Sequence, residues 1–305
     1  MKIFIGYDSR EDIAYEVCRY SILSRQPNAE IYPLKLKSLE KNGIYYRPKD
    51  ELGSTEFTFS RFLVPHLCEF KGWALFVDCD FLFLEDVSKI FHQADSKYAV
   101  MVAKHDYTPK NKFKMDGKEQ HLYPRKNWSS FILFNCDHPK NKSLDIETVN
   151  KEPGSFLHRF QWLADNEIGQ ISHEWNWLVN WYHEPHDGTP KAIHYTEGGP
   201  WFENYLHCEY GALWEREKHD YLLSINKEKN FINLPSDIVN IFNKILLYRI
   251  DPKQEYYNCS LEEIIRDIKK LNNHAVVSTE SDEIMYREKN LKYDPLIEKF
   301  ITGSG

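Results

Sequence analysis

Two aspartates, Asp78 and Asp80, stand at the end of an apolar run that covers residues 73–77. A short unbroken run of branched and aromatic residues is typical of a buried strand. Two carboxylates directly after such a strand are costly unless a cation lies between them. Their hard oxygen atoms suit Mn²⁺ or Mg²⁺, which can bridge the phosphates of a nucleotide. The spacing therefore indicates a divalent-metal site, and a helix cap with an adjoining turn is the structural alternative.

The composition excludes two broad classes of protein. The 305 residues carry a net charge of −7, whereas an extended nucleic-acid surface needs a basic field. No apolar stretch has the length of about 20 residues that a membrane-spanning helix requires. The six cysteines show neither metal-ligand spacing nor a disulfide framework, and the apolar start of the chain is too short for a signal peptide. We expect a globular cytoplasmic protein without a nucleic-acid partner.

The aspartates need elements that hold them in place, and the pattern predicts alternating strands and helices. Apolar runs predict strands over residues 2–7, 30–36, 73–77, 98–103, 131–135 and 192–195. Helical spacing predicts helices over residues 13–24, 57–70, 87–91 and 156–166, and Pro65 weakens the second of them. A strand, a helix and a second strand in succession begin a parallel α/β sheet.

Residues 104–126 form a predicted long loop with a basic composition. They include six lysines and one arginine against three acids, and Pro109, Gly117 and Pro124 interrupt any regular pattern. Long loops are often functional. This one is either a solvated surface segment or a lid that recognises phosphate or another acidic group.

The chain changes in character after about residue 220. We predict one domain over residues 1–220 and a mainly helical extension over residues 221–305. Ser260 and Glu263 fit a capping box before a helix over residues 261–271. The extension contains no residue pattern that indicates chemistry.

Four ordered segments resemble the family 8 glycosyltransferases, which include glycogenin and bacterial lipopolysaccharide galactosyl- and glucosyltransferases. Residues 58–65 are similar to the helix in which that family places an arginine facing the donor, and residues 76–80 to its Tyr-Leu-Asp-X-Asp strand end. Residues 131–135 resemble the strand after its Asn-Ser/Ala-Gly turn, and residues 194–201 its His-Phe-X-Gly-X-X-Lys-Pro-Trp motif. The resemblance implies the GT-A fold, a Rossmann-like mixed and mostly parallel sheet flanked by helices.

The last of these segments departs from the family pattern. It is one residue shorter between its histidine and its proline, and it lacks the lysine that neutralises the donor diphosphate in the family. Gly198 and Gly199 stand in that region. The resemblance therefore implies a replacement for the lysine, either backbone N–H groups there, Arg61 or the basic 104–126 loop.

By the same resemblance, His194 is the third ligand of a metal site with Asp78 and Asp80. Two carboxylates and one imidazole leave positions for two diphosphate oxygens, and the ion would stabilise the negative charge on departing UDP. A core histidine bonded to the backbone is the structural alternative. Arg61 is expected to contact the donor sugar or to hold Asp78 through a bidentate pair, with a surface ion pair as its alternative.

Several other residues are candidates for binding the donor. The first predicted strand ends at Tyr7 and Asp8, at the edge where open α/β sheets bind ligands. Tyr7 could stack on uracil, and Asp8 could accept a hydrogen bond from its imide or from a ribose hydroxyl. Trp177 and Trp201 could form a stacking face for a sugar ring, unless both are core residues.

The segment Asp165, Asn166 and Glu167 resembles the Asp-Gln-Asp-like segment of the family. The resemblance implies that these residues stabilise the oxocarbenium ion, orient the acceptor or bind donor hydroxyls. Their structural alternative is the end of a helix.

The expected function is Mn²⁺- or Mg²⁺-dependent transfer of a hexose-type sugar from a UDP-sugar, with retention, to a glycan, lipid-linked or protein hydroxyl. An inverting GT-A transferase and an inactive carbohydrate- or nucleotide-binding module stay open as alternatives. A nucleotidyltransferase would need a Gly-rich phosphate loop near the first strand, where Gly6 is alone. The expected location is the cytoplasm, with peripheral association at the inner face of the membrane.

Overall fold

The protein is described by a computed structural model that covers residues 1–48, 53–105, 125–228 and 266. Within these residues the strands are β1 (Lys2–Gly6), β2 (Glu30–Leu34), β3 (Trp73–Val77), β4 (Phe81–Phe83), β5 (Val100–Ala103), β6 (Phe131–Asn135), β7 (Ile168–Ile171), β8 (Trp177–Leu178) and β9 (Ala192–His194). The α-helices are α1 (Asp12–Arg25), α2 (Leu36–Lys41), α3 (Val64–Leu67), α4 (Ser88–Phe91), α5 (Ile146–Lys151), α6 (Gly154–His158) and α7 (Gly211–Glu228).

The main sheet has six strands in the order β2-β1-β3-β6-β5-β7. Strand β1 is parallel to β2 and β3, β5 is parallel to β7, and β6 is antiparallel to both of its neighbours. One strand out of six is therefore reversed, and the carboxyl ends of the other five lie at the same edge. The predicted class, a mixed and mostly parallel sheet flanked by helices, is confirmed.

The apolar runs form strands because both faces of the sheet are covered. Leu75, Phe76 and Val77 of β3 are fully buried, and every residue of β6 is buried. In α1 the buried residues include Ala14, Val17, Cys18 and Ile22, which recur at helical spacing on one face. Each large apolar side chain buried in this way contributes about 1.5–3 kcal/mol.

Two predicted helices are shorter than expected. Residues 57–70 form a 3-10 turn at Ser60–Leu63 followed by α3, because Pro65 lacks the N–H of a helix interior and fits only the first turn. The helix ends where Glu69 and Phe70 have positive φ values of 54° and 55°. The helix predicted over residues 156–166 is the short α6, and Phe160 has a φ of 52° just beyond it.

A second sheet, with the strand order β4-β9-β8, returns a distant part of the chain to the aspartates. Strand β4 is antiparallel to β9, and Phe81 pairs with His194. The N–H of Tyr195 donates to the carbonyl of Asp80 at 3.0 Å, which extends this pairing. The small sheet thus fixes His194 next to the residues that follow β3.

The chain divides into two units, Met1–Glu217 and Lys218–Gly305, and the site described below belongs to the first. Most of the 104–126 loop and of the predicted extension, including the capping box at Ser260, lies outside the described residues. The domain boundary predicted at residue 220 stays a prediction. No helix in the described part of the chain is long and apolar enough to cross a membrane.

Candidate active site

The structure brings Asp78, Asp80 and His194 together at the carboxyl edge of β3. Each residue offers one ligand atom, and these atoms all lie within 4.8 Å of one another. The N–H of Asp78 donates to the carbonyl of Ser130 at 3.0 Å, so the start of β6 holds the first aspartate. His194 ends β9 and is 2% exposed.

The chemistry of this group fits a divalent cation. Oδ1 of Asp80 is buried and has no hydrogen-bond partner within the described residues, and Nε2 of His194 lies 3.4 Å from it. Burial alone would raise the pKa of Asp80, but the electrostatic interaction with nearby His194, with Arg61 further off, lowers it. Such a carboxylate oxygen needs a cationic partner, and a metal ion can supply that positive charge.

Arg61 is a buried partner of Asp78 rather than a surface residue. It is 5% exposed, and its Nη1 donates to Oδ1 of Asp78 at 2.7 Å and to the carbonyl of Ser129 at 2.8 Å. Its guanidinium also lies about 5 Å from the rings of Phe57 and Phe76. A single nitrogen makes the contact, so the bidentate geometry that the sequence suggested is not formed, and the surface ion pair is excluded.

Asp8 is not available to a nucleotide in the way we predicted. Its carboxylate is fully buried and accepts from Nε, Nη2 and the backbone N–H of Arg10 at 2.7–3.0 Å and from the N–H of Glu56 at 3.1 Å. Burial would raise the pKa of Asp8, but these hydrogen bonds lower it. Because its acceptor positions are occupied, Asp8 anchors Arg10 at the end of β1 instead of contacting a base.

Tyr7 lies at the predicted edge but is partly covered. Its hydroxyl donates to Oδ1 of Asp12 at 2.7 Å, which is the main reason that the pKa of Tyr7 is raised to about 12. The ammonium of Lys35 lies 4.4 Å from the ring centroid. A uracil base would therefore stack on the opposite ring face or displace Lys35, and the stacking stays a prediction.

The two glycines and the two tryptophans serve mainly to pack the chain. Gly198 has a φ of 126°, and its N–H already donates to the carbonyl of Tyr195 at 2.8 Å, so it cannot also donate to a diphosphate. A Cβ on Gly199 would overlap the ring of Trp201. Trp201 packs on a hydrophobic cluster, and Trp177 is fully buried. Trp177 is therefore a core residue and not a stacking face for sugar.

The structure does not bring Asp165, Asn166 and Glu167 together with the metal-ligand group. They form a 3-10 turn that enters the amino end of β7, and β7 runs parallel to β5 and hence to β3. The turn thus lies at the edge opposite to Asp78. Asp165 is 92% exposed and pairs with Arg125, and Glu167 accepts from the N–H of Ala164. The chain passes directly from this turn into β7 at Ile168, so the turn stays at the amino end of that strand.

His105 is a candidate site residue that the sequence analysis did not identify. It follows β5 at the same edge as Asp78, and its Nδ1 lies 2.8 Å from the hydroxyl of Tyr182. Its Nε2 is buried and has no hydrogen-bond partner among the residues described. Burial, together with nearby His194 and His173, lowers the pKa of His105 to about 3. Its position after a predicted strand was the available signal.

Glu11 and Asn176 were also missed. Glu11 directly precedes α1, and burial together with the charges of Asp80 and Asp8 raises its pKa to about 8. The side-chain oxygen of Asn176 lies 2.8 Å from Nδ1 of His194. Neither residue belongs to a motif, so only the folded chain reveals them.

Comparisons with solved structures support the same fold. The apo form of the glycosyltransferase GlyE of Streptococcus pneumoniae TIGR4 is similar with a TM-score of 0.50 at 14% identity, covering 75% of this chain and 63% of GlyE. The chain thus spans less than two thirds of the length of GlyE. The galactosyltransferase LgtC, in complex with donor and acceptor sugar analogs, has a TM-score of 0.45 at 11% identity, covering 72% and 96% of the two chains. That similarity is too low to add to the assignment. The fold is that of the GT-A glycosyltransferases.

Sequence comparison identifies the relatives of the chain. No protein-family model matches the sequence. Protein CDI of Arabidopsis thaliana is 53% identical over 231 residues, which cover 74% of this chain and 89% of that protein. The chain therefore belongs to the same family as Protein CDI.

Proposed function

We propose that the protein is a divalent-metal-dependent glycosyltransferase of the family 8 type. It transfers a hexose-type sugar from a UDP-sugar, with retention, to a hydroxyl of a glycan, a lipid-linked acceptor or a protein. The observation that carries the proposal is the group of Asp78, Asp80 and His194 at the carboxyl edge of a GT-A sheet. The resemblance of the sequence motifs to family 8 is the reason for proposing UDP as the nucleotide and retention of the anomeric configuration. A cytoplasmic location with peripheral membrane association belongs to the same proposal.

The residues around the group have separate tasks in this reaction. Mn²⁺ or Mg²⁺ held by Asp78, Asp80 and His194 would supply Lewis-acid stabilisation of the negative charge on the departing diphosphate. Arg61 keeps one aspartate in place through its buried contact. His105 stays neutral at physiological pH, because burial lowers its pKa to about 3, so it adds no positive charge beside the metal-ligand group.

The nucleotide requirement is tested by thermal unfolding. UDP with Mn²⁺ should raise the melting temperature, because a ligand at one hundred times its Kd stabilises the folded state by about 2.7 kcal/mol. A response to ATP or CTP instead would favour a nucleotidyltransferase. The absence of any nucleotide response would favour a carbohydrate-binding module. Hydrolysis of UDP-, GDP- and CMP-sugars, followed in parallel, identifies the donor.

The role of the aspartates is tested by Asp80→Asn, which keeps the shape of the side chain and removes its charge. We expect UDP-sugar hydrolysis to fall at least about 100-fold while the protein stays folded, because the loss affects charge stabilisation in the transition state. Asp95→Asn is the matched control, since the side chain of Asp95 is 44% exposed and pairs with Lys97 on the surface. Equal activity in the two variants would contradict the assignment.

A further inference from the structure

A chain of hydrogen bonds, buried from Ser130 onward, runs from the backbone of Asn127 to the ring of His194. The hydroxyl of Ser130 donates to the carbonyl of Asn127 at 2.7 Å. The side-chain Nδ2 of Asn176 donates to that hydroxyl at 3.1 Å, and Oδ1 of Asn176 lies 2.8 Å from Nδ1 of His194. We call Asn127, Ser130, Asn176 and His194 the buried relay.

The direction of each bond in the buried relay follows from the number of available protons. A serine hydroxyl has one hydrogen, and the carbonyl of Asn127 takes it, so the hydroxyl must accept from the amide of Asn176. The amide oxygen then faces His194 as an acceptor. Nδ1 of His194 consequently carries a hydrogen, so Nε2, which faces Asp80, is the ring nitrogen left to bind a cation.

Burial leaves little freedom for another arrangement. Asn176 is fully buried and Ser130 is 4% exposed, so water cannot readily replace either partner. The imidazole ring of His194 stacks on Phe81, with ring centroids 4.4 Å apart and an interplanar angle of 16°. Packing therefore holds the plane of the ring, and the amide of Asn176 selects its tautomer.

The turn that begins the buried relay also holds Asp78, a second member of the ligand group. The carbonyl of Ser129 accepts from Arg61, which contacts Asp78. The carbonyl of Ser130 accepts the N–H of Asp78 at 3.0 Å. One short turn thus positions residues on both sides of the ligand group.

We propose that Asn176 is a positioning residue that fixes His194 as the Nδ1–H tautomer and so presents Nε2 to a divalent cation. Ser130 orients Asn176 for this task. The inference rests on the proposed function insofar as that function needs a metal ion. Partners that orient metal-ligating histidines typically change metal affinity 10- to 100-fold when they are removed.

The test measures Mn²⁺ affinity by electron paramagnetic resonance of the free ion in the full-length protein. Asn176→Leu keeps the approximate volume but has no acceptor, and we expect its Kd to rise about 10- to 100-fold. Asn176→Asp keeps an acceptor for Nδ1–H and should bind within a few-fold of the wild type. Ser130→Ala should weaken binding less than Asn176→Leu, because the amide of Asn176 is retained.

A spectroscopic readout separates positioning from folding. The ¹⁵N shifts of the His194 ring in the metal-free wild type at pH 8 should report the Nδ1–H tautomer. An Nε2–H tautomer there, or equal losses of affinity in Asn176→Leu and Asn176→Asp, would overturn the inference and leave the proposed function intact. A wild-type protein that does not bind Mn²⁺ would overturn both.

Discussion

At the scale of single residues, His105 is a buried neutral base whose protonation the fold opposes. It is 6% exposed, and its Nδ1 is bonded to the hydroxyl of Tyr182. Burial, followed by the charges of His194 and His173, lowers its pKa from 6.5 to about 3. The unfolded chain therefore takes up a proton at a higher pH than the folded chain does. The stability that depends on a neutral His105 is present above pH 6.5 and is lost as the pH falls towards 3.

His105→Asn should remove this part of the acid sensitivity. Linkage predicts that protonation of unfolded His105 costs the wild type about 1.4 kcal/mol of unfolding free energy between pH 8 and pH 5.5. The measurement is urea denaturation of both proteins at the two pH values, in which contributions from other groups cancel. A difference between wild type and variant that does not change with pH would show that His105 is not held neutral.

At the scale of elements, the carboxyl end of β1 and the turn that carries Arg61 are fitted closely to each other. A Cβ added to Gly6 would overlap the buried ring of Phe57. The carbonyl of Phe57 also accepts from the N–H of Arg61. A displaced ring would therefore move the arginine that contacts Asp78.

Gly6→Ala should lower the unfolding free energy by about 1–3 kcal/mol, the usual cost of overpacking. The double variant Gly6→Ala/Phe57→Leu should be more stable than the sum of the two single changes, because the smaller side chain leaves room for the methyl group. Denaturation midpoints of the four proteins in the cycle provide the measurement. Strict additivity would mean that the ring and the added methyl group do not meet.

The sequence was informative about elements where burial imposes a simple pattern. β3 and β6 are covered on both faces, so each appears as an unbroken apolar run that can be recognised directly. β9 was also predicted, over residues 192–195, whereas β4 and β8 have only three and two residues, which is too short for a periodic pattern to be recognised. The prediction of one helix over residues 57–70 was wrong, because Pro65 lacks the backbone N–H that a helix interior needs, whatever the apolar spacing indicates.

The metal-ligand residues could be predicted because they belong to motifs. Residues that only position those ligands could not. Asp78, Asp80 and His194 were identified and lie together. Asn176 was missed because its role depends on a hydrogen bond across the fold, and no spacing encodes such a contact. Asp165 was assigned to the site by resemblance, but its turn precedes β7 and therefore lies at the opposite edge of the sheet.

At the scale of the molecule, two hydrophobic clusters support different parts of the site. The larger one surrounds the main sheet and contains most of β3 and β6. The smaller one joins Val17 of α1, Leu82 of β4, Ile193 and Tyr195 beside His194, and Trp214 of α7. The first helix and a residue almost two hundred positions later therefore support the same short sheet. Ion binding should depend more on the smaller cluster than on the larger one.

Trp214→Ala provides the test, because Trp214 is 1% exposed and packs within the cluster that flanks His194. Removing this ring should cost about 3–5 kcal/mol of unfolding free energy. It should also raise the Kd for Mn²⁺, since β9 loses the packing that fixes His194. Ile90→Ala is the control: Ile90 is fully buried in the larger cluster, so its loss should destabilise the protein by about 2–5 kcal/mol without changing the Kd. Titrations at a temperature where both variants remain folded separate the two effects, and equal Kd values in all three proteins would show that the small sheet holds His194 without help from Trp214.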